Sequence, residues 1–347
     1  MRFFHFLRSH SGPRFFPFGL ILLAILMGGC GPAGGRTVPA VHSVETPSPS
    51  ITIPAAHMEG SSTLPPSEAF TPSAESIAGP AEFTVRIPKA DVWDAPENEG
   101  NYWNLQTQLV LGEKVLILGR AGDWAQIAAV EQPSKKDARG YPGWVRSDSL
   151  SAGWPAADQF AVVMKSFSRL RDDIDAEPSM KVYLDTRLPV QSIEGEWIQV
   201  RVPDGAAKWV PLADVRLTGD PSRPVPVGGL FKIAETLVGV PYQWGGTTTG
   251  ALDCSGLPYR LFHAFGIRIS RDADDQALEG EFVDRTQMRK GDLIFVSEHS
   301  GGNVTHEAIY WGSNLVMDSD AGRGTTIRPI TEFFRFYFWI SARRFLP

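Results

Sequence analysis

Apolar and polar residues alternate in short runs through the middle of the chain. Lys114-Val115-Leu116-Ile117-Leu118 and Trp124-Ala125-Gln126-Ile127 are two such runs, punctuated by Gly112, Gly119, Gly122 and Gly140. A period of two between glycine turns predicts the strands of a small β-barrel or sandwich over residues 82–152. A similar phrase returns about seventy residues later. Gly122-Asp123-Trp124 is answered by Gly195-Glu196-Trp197, and Gly143-Trp144-Val145 by Lys208-Trp209-Val210. Two copies of one β-unit are therefore expected, over 82–152 and 153–218.

The pattern changes after the break Gly219-Asp220-Pro221-Ser222-Arg223-Pro224-Val225-Pro226, which reads as a linker over 219–228. Leu230, Ile233, Ala234, Leu237 and Val238 have helical spacing, and Gly239-Val240-Pro241 ends that helix. A loop leads to Asp253, placed as an N-cap for a second helix that begins Cys254-Ser255-Gly256-Leu257. Pro258 conflicts with that start, because its ring would meet the Cys254 carbonyl. Either the helix begins later or it bends there. A polar start from Ile269 to Asp272 leads into a further helical stretch. Leu293–Val296, Thr305–Trp311 and Leu315–Met317 read as strands, the last two joined by the tight turn Gly312-Ser313-Asn314. Helices first and strands after predict an α+β unit over 229–347, with a helix packed on an antiparallel sheet.

The N-terminal region is of another kind. Arg2, Arg8 and Arg14 precede an apolar run from Phe15 to Met27, which ends Met27-Gly28-Gly29-Cys30. This is the layout of a secretory signal over 1–29, and the run is too short to span a bilayer. Small residues before Cys30 resemble a bacterial lipobox, with Cys30 as the acylated residue and Met27 in place of the more usual Leu. Plain cleavage near Gly29 is the alternative. Gly31 is not the Asp that holds such lipoproteins at the inner membrane, so the resemblance implies an outer-membrane anchor. Residues 30–81 carry nine prolines with many Ser, Thr, Ala and Gly, and read as a disordered tether.

Over 347 residues the net charge is −6, and 43% of residues are hydrophobic. No basic cluster suggests a nucleic-acid partner. Two cysteines cannot build a disulfide framework. Without CxxC or HExxH, neither a metal nor another cofactor is expected. If Cys30 is lipidated, Cys254 is a lone thiol in an exported protein. His306 follows it by 52 residues and Asp318 by a further 12. These are the parts of a nucleophile, a base and a residue that orients the base. At a helix N-terminus the dipole and free N–H groups favour a thiolate and can bind an oxyanion. Strand alternation and the tight turn bring Asp318 back to the level of His306. His263 faces away on its helix, and His299 is the rival base. Tyr141, beside Pro142-Gly143, reads either as a half-buried structural tyrosine or as a phenol at a loop mouth.

Tyr242-Gln243-Trp244-Gly245-Gly246, Asp253-Cys254-Ser255-Gly256, Arg271-Asp272-Ala273, Gly291-Asp292-Leu293-Ile294-Phe295 and His306-Glu307-Ala308-Ile309-Tyr310 together resemble the NlpC/P60 cysteine peptidases. The β-units ahead of them resemble bacterial SH3 (SH3b) domains. The resemblance implies a papain-like catalytic domain behind two SH3b-like barrels. It also implies cleavage of the γ-D-glutamyl–diamino acid bond in peptidoglycan stem peptides. Cys254 would be the nucleophile and His306 the base. Asp318 falls where the family usually has a second histidine, with Ser319 and Asp320 close by. A carboxylate there would favour a charged imidazole beside a thiolate. Tyr242 would help to bind the oxyanion, and Asp272 would pair with the free amine of the substrate's L-alanine. Tyr141 would wall the groove beyond that alanine, and Asp253, Ser255 and Arg271 would belong to the substrate pocket. Ala273 replaces a frequent Ser. A muramoyl-alanine amidase or acyltransferase on the same fold, or a dead domain that only binds peptidoglycan, are the other readings.

Overall fold

A computed structural model describes residues 81–153 and 157–347. The signal segment, Cys30 and nearly all of the tether lie outside the described residues. Seven strands make the first unit: β1 (Ala81–Val85), β2 (Lys89–Trp93), β3 (Leu105–Val110), β4 (Lys114–Ala121), β5 (Trp124–Ala129), β6 (Tyr141–Arg146) and β7 (Leu150–Ala152). They pair in the order β3-β2-β6-β5-β4-β1-β7. The second unit comprises β8 (Phe160–Val163), β9 (Phe167–Arg171), β10 (Pro178–Tyr183), β11 (Arg187–Glu194), β12 (Trp197–Arg201), β13 (Ala207–Pro211) and β14 (Val215–Thr218). Its order is β10-β9-β13-β12-β11-β8-β14, the same topology strand for strand. Alternation does what the sequence predicts: in β12, Ile198 and Val200 are buried while Trp197, Gln199 and Arg201 are not.

The C-terminal unit opens with α1 (Leu230–Glu235), the short ribbon β15 (Thr247–Thr248) and β16 (Ala251–Leu252), and α2 (Gly256–His263). Then come α3 (Ala273–Gln276), β17 (Glu281–Phe282), β18 (Leu293–Ser297), β19 (His306–Gly312), β20 (Leu315–Asp320), β21 (Gly324–Pro329), α4 (Ile330–Phe333) and β22 (Phe338–Arg344). Strands β17 to β22 form one antiparallel sheet ordered β17-β22-β18-β19-β20-β21. On one face Leu257 and Leu261 of α2 join Phe295, Ile309 and Met317 in a common core. On the other, Ile294, Val296, Ala308 and Val316 cluster with Phe333. This is the expected α+β layering, with β17, β21 and β22 added beyond the strands read from the sequence. Ser313 and Asn314 both take positive φ (51° and 60°), the geometry of a two-residue hairpin turn between β19 and β20.

Arg260 of α2 fixes the three units against one another. It is fully buried, and its Nη1 donates to Glu113 Oε1 at 2.6 Å in the first unit. The same atom donates to Asp185 Oδ2 at 3.0 Å in the second unit, while Nε donates to the Thr247 carbonyl at 2.8 Å. A buried guanidinium shared by two carboxylates orients both β-units, because leaving any of these charges unpaired is strongly unfavourable.

Candidate active site

The turn that carries Cys254 is built by its neighbours. The helix proper starts at Gly256, so Cys254 lies in the turn before it and not within its first assigned residues. The capping hydrogen bonds nonetheless reach back to Asp253. Its Oδ1 accepts from Gly256 N at 2.6 Å, and its carbonyl accepts from Leu257 N at 3.2 Å. Pro258 then falls in the first turn of α2, where its missing N–H is tolerated. The later start is thus the outcome of the conflict that Pro258 posed. Gly256 is needed for space: a Cβ there would stand 2.0 Å from the Gly246 carbonyl oxygen.

Arg271 locks this turn. It is fully buried and donates from Nη2 to Asp253 Oδ2 at 2.6 Å and from Nη1 to Ser255 Oγ at 2.8 Å. Its Nε donates to Thr107 Oγ1 of β3 at 3.1 Å, so the first β-unit helps to hold the nucleophile turn. Asp253, Ser255 and Arg271, grouped from the resemblance with the substrate pocket, are buried and bonded to one another. Together they frame the turn that carries Cys254.

On β19 and β20 the imidazole of His306 is equally constrained. Its Nε2 lies 3.0 Å from Asp318 Oδ2, which leaves Nδ1 as the ring's other proton site. The ring stacks on Tyr337 with centroids 4.6 Å apart and planes 17° apart. Asp318 also accepts from Arg328 Nε at 3.0 Å, and Arg328 Nη2 reaches both Asp318 and Asp320. Burial alone would raise the Asp318 carboxyl, but the bonds from His306 and Arg328 outweigh it and hold the carboxyl below its ordinary value. Ser319, next along, is fully buried and donates to the Leu252 carbonyl at 2.9 Å. That bond brings the imidazole pair to the segment two residues before Cys254. No hydrogen bond joins the Cys254 sulfur to His306 among the described residues. His299 lies on an exposed loop.

A third group of residues comes from two units. Tyr141 of β6 is buried, but its hydroxyl donates to both carboxylate oxygens of Asp272 at 3.1 Å. Asp272 also holds the ammonium of Lys136 at 3.0 Å. Tyr242 is pinned by a bridge to Leu252, beside the nucleophile turn. Burial first, and then the neighbouring Cys254, raise its phenol well above the ordinary range, so it stays a hydrogen-bond donor.

With thiol, imidazole and carboxylate placed, the comparisons decide the family. Residues 239–344 match the model of the NlpC/P60 family. The chain is 32% identical over 253 residues to the γ-D-glutamyl-L-lysine dipeptidyl-peptidase of Bacillus cereus, covering 70% of this chain and 76% of that protein. The chain belongs to the NlpC/P60 family. It is an enzyme of peptidase type. The Bacillus subtilis dipeptidyl-peptidase of the same name is also 32% identical, over 66% of this chain and 77% of that one. Residues 163–217 match the YkfC SH3b2 domain, so SH3b-like β-domains precede the NlpC/P60 catalytic domain. The crystal structure of an NlpC/P60 family protein from Bacillus cereus superposes with a TM-score of 0.70 at 27% identity, covering 77% of this chain and all of that one.

The electrostatics of this NlpC/P60 site depart from the expected thiolate. Burial raises the Cys254 thiol well above its ordinary value, and Asp253 and Glu307 raise it further. Arg271 and the Ser255 N–H pull the other way and do not prevail. Burial, with Asp253 beside it, thus outweighs the helix-terminal advantage and disfavours the thiolate in the resting site. Glu307 itself is fully buried, and neither carboxylate oxygen has a hydrogen-bond partner among the described residues. Burial, then Asp253, push its carboxyl far up and favour its protonated form, so it opposes the Cys254 thiolate only once it ionises. Glu307, Arg328, Tyr337 and Lys136 were not among the residues singled out from sequence. Arg328 had a faint signal. It lies two residues beyond Thr326, the β21 partner of Asp318, and so shares a sheet face with it. A cavity of about 660 Å³, bordered by Glu131, Arg187 and His263, is lined by neither Cys254 nor His306.

Proposed function

We propose that this NlpC/P60 enzyme hydrolyses the γ-D-glutamyl–diamino acid bond of peptidoglycan stem peptides whose L-alanine amine is free. The observation that supports it most is the Tyr141–Asp272 pair. A carboxylate against a buried phenol, beside the Arg271–Asp253–Ser255 frame of the nucleophile, is a site for one ammonium group. A substrate carrying L-Ala-γ-D-Glu would place its amine there and its γ-carbonyl at Cys254. His306 Nδ1 takes the thiol proton as sulfur attacks the carbonyl carbon. The Tyr242 hydroxyl, kept protonated beside Cys254, donates to the resulting oxyanion. The imidazolium then protonates the departing amine of the diamino acid, and water releases the acyl group from sulfur with His306 again as base. Asp318 keeps the Nε2 proton in place throughout.

The test is the product masses from L-Ala-γ-D-Glu-L-Lys, its diaminopimelate counterpart, the N-acetylated tripeptides and a muramyl pentapeptide. The expected products are L-Ala-γ-D-Glu and the free diamino acid, from unblocked peptides alone. Cutting of the lactyl–alanine bond would make the enzyme an amidase. Equal turnover by Cys254→Ala would reduce the domain to a binding module.

The Met27-Gly28-Gly29-Cys30 stretch and the proline-rich segment after it support an exported, lipid-anchored enzyme held at the outer membrane. Radioactive palmitate should label the wild-type protein and not Cys30→Ala.

A further inference from the structure

Lys136 sits in the loop between β5 and β6, and its ammonium occupies the carboxylate site just described. Nζ lies 3.0 Å from Asp272 Oδ2 and 4.3 Å from the centroid of the Tyr141 ring, and it donates to the Tyr141 hydroxyl. A carboxylate, a phenol oxygen and an aromatic face are what a primary ammonium needs to replace its water. The base of this loop is fastened to the catalytic unit. Arg271 N donates to the Pro133 carbonyl at 2.9 Å, and Lys135 N donates to Asp275 Oδ2 at 2.9 Å. Lys135 Nζ also pairs with Asp275 at 3.1 Å. The lysine is therefore delivered to Asp272 by the backbone and is not a stray surface side chain.

The pairing is nevertheless easily undone. The Lys136 side chain is 40% exposed and that of Asp272 24% exposed, so the ammonium can swing into water without opening any core. Two ammonium groups cannot share one carboxylate at contact distance without repulsion. We infer that Lys136 is an internal placeholder for the substrate's amine, which the free amine of the substrate must displace in order to bind. This rests on the reading under Proposed function that Asp272 receives that amine. It adds that the subsite stays filled and neutralised until a competing ammonium arrives, and that a blocked or uncharged N-terminus cannot dislodge the lysine.

The consequence is a KM higher than the pocket alone would give. Lys136→Met keeps the apolar stem and removes the charge, and Lys136→Ala removes both. Lys136 is exposed, so folding is not at stake, and circular dichroism on each variant checks this. With L-Ala-γ-D-Glu-L-Lys as substrate, KM should fall by about three- to fivefold in both variants, with the change confined to KM. On a Cys254→Ala background, calorimetry with the dipeptide L-Ala-γ-D-Glu should show the same gain in affinity when Lys136→Met is added. Lys136→Arg should stay near wild type. An unchanged or raised KM in Lys136→Met overturns the placeholder, since the lysine would then be inert or would help to bind substrate. These outcomes are separable from failure of the underlying reading. If wild type cleaves the N-acetylated tripeptide as well as the free one, Asp272 has no amine to receive and the functional proposal itself falls.

Discussion

The hydroxyl of Ser319 donates to the carbonyl of Leu252 at 2.9 Å, and this bond spans the two halves of the site. Ser319 follows Asp318, which holds His306, and Leu252 precedes Asp253 and Cys254 by one and two residues. Among the described residues, Ser319→Ala leaves a buried carbonyl that keeps the Gln243 N–H at 3.2 Å as its partner. Loss of one buried hydrogen bond costs about 1–2 kcal/mol, and a small drift of imidazole from thiol costs far more in rate. The expected result is a modest fall in Tm with kcat down about tenfold and KM little changed. A Tm change without a kcat change would show that the bond holds the fold and not the site.

Arg271 should prove the most sensitive residue outside the reacting groups. Its guanidinium joins Asp253, Ser255 and Thr107, so Arg271→Met strands a buried carboxylate beside the sulfur. Breaking such a pair from one side costs about 3–5 kcal/mol. Arg271→Lys retains the charge but not the forked geometry, and should recover stability better than activity. Thermal denaturation and single-turnover rates on the two variants give the comparison. Equal recovery of both would place Arg271 in folding alone.

Asp318 fixes which nitrogen of His306 carries the proton. With Nε2–H donating to the carboxylate, Nδ1 is free to accept from the thiol. Asp318→Asn removes the charge that Arg328 and His306 share, and lets the ring settle in the other tautomer. A loss of about 100-fold or more in kcat is expected, with little effect on binding of the dipeptide product. Activity within threefold of wild type would mean that His306 needs no such orienting partner.

The parts of this picture that local pattern governs were open to reading in advance. Period-two alternation and the turn at Ser313-Asn314 returned Asp318 to the neighbourhood of His306, but the face it takes depends on a β-bulge between Tyr310 and Gly312, which shifts the register by one residue and was not legible in the sequence. The repeated Gly-x-Trp phrases foretold two β-units of equal topology. What escaped depends on contacts between distant segments. Arg328 and Tyr337 act on His306 through β21 and the segment before β22, and Lys136 reaches Asp272 from another unit altogether. Charge balance at Cys254 escaped for a related reason. A helix start favours a thiolate, but burial and the carboxylates packed there by tertiary structure outweigh that local effect.

Glu307 supplies the pH test. On β19 it pairs in register with Phe295 and so faces the α2 side of the sheet, opposite to His306. The charged groups around it are Asp253 and Cys254 before α2, and Arg271, Asp272 and Asp274 at α3. Its carboxyl is raised above 4.5 in the folded protein. The folded state therefore holds a proton that the unfolded state has released. Stability linked to Glu307 is complete below the unfolded value and drains away as pH rises through the folded one. Glu307→Gln has no proton to lose. Its Tm should match wild type near about pH 5 and exceed it increasingly toward about pH 9. Ionised Glu307 also opposes the Cys254 thiolate, so the variant's iodoacetamide reaction should reach its plateau at lower pH than that of wild type. Parallel Tm curves for the two proteins across that range would sink the assignment of Glu307 as a buried neutral acid.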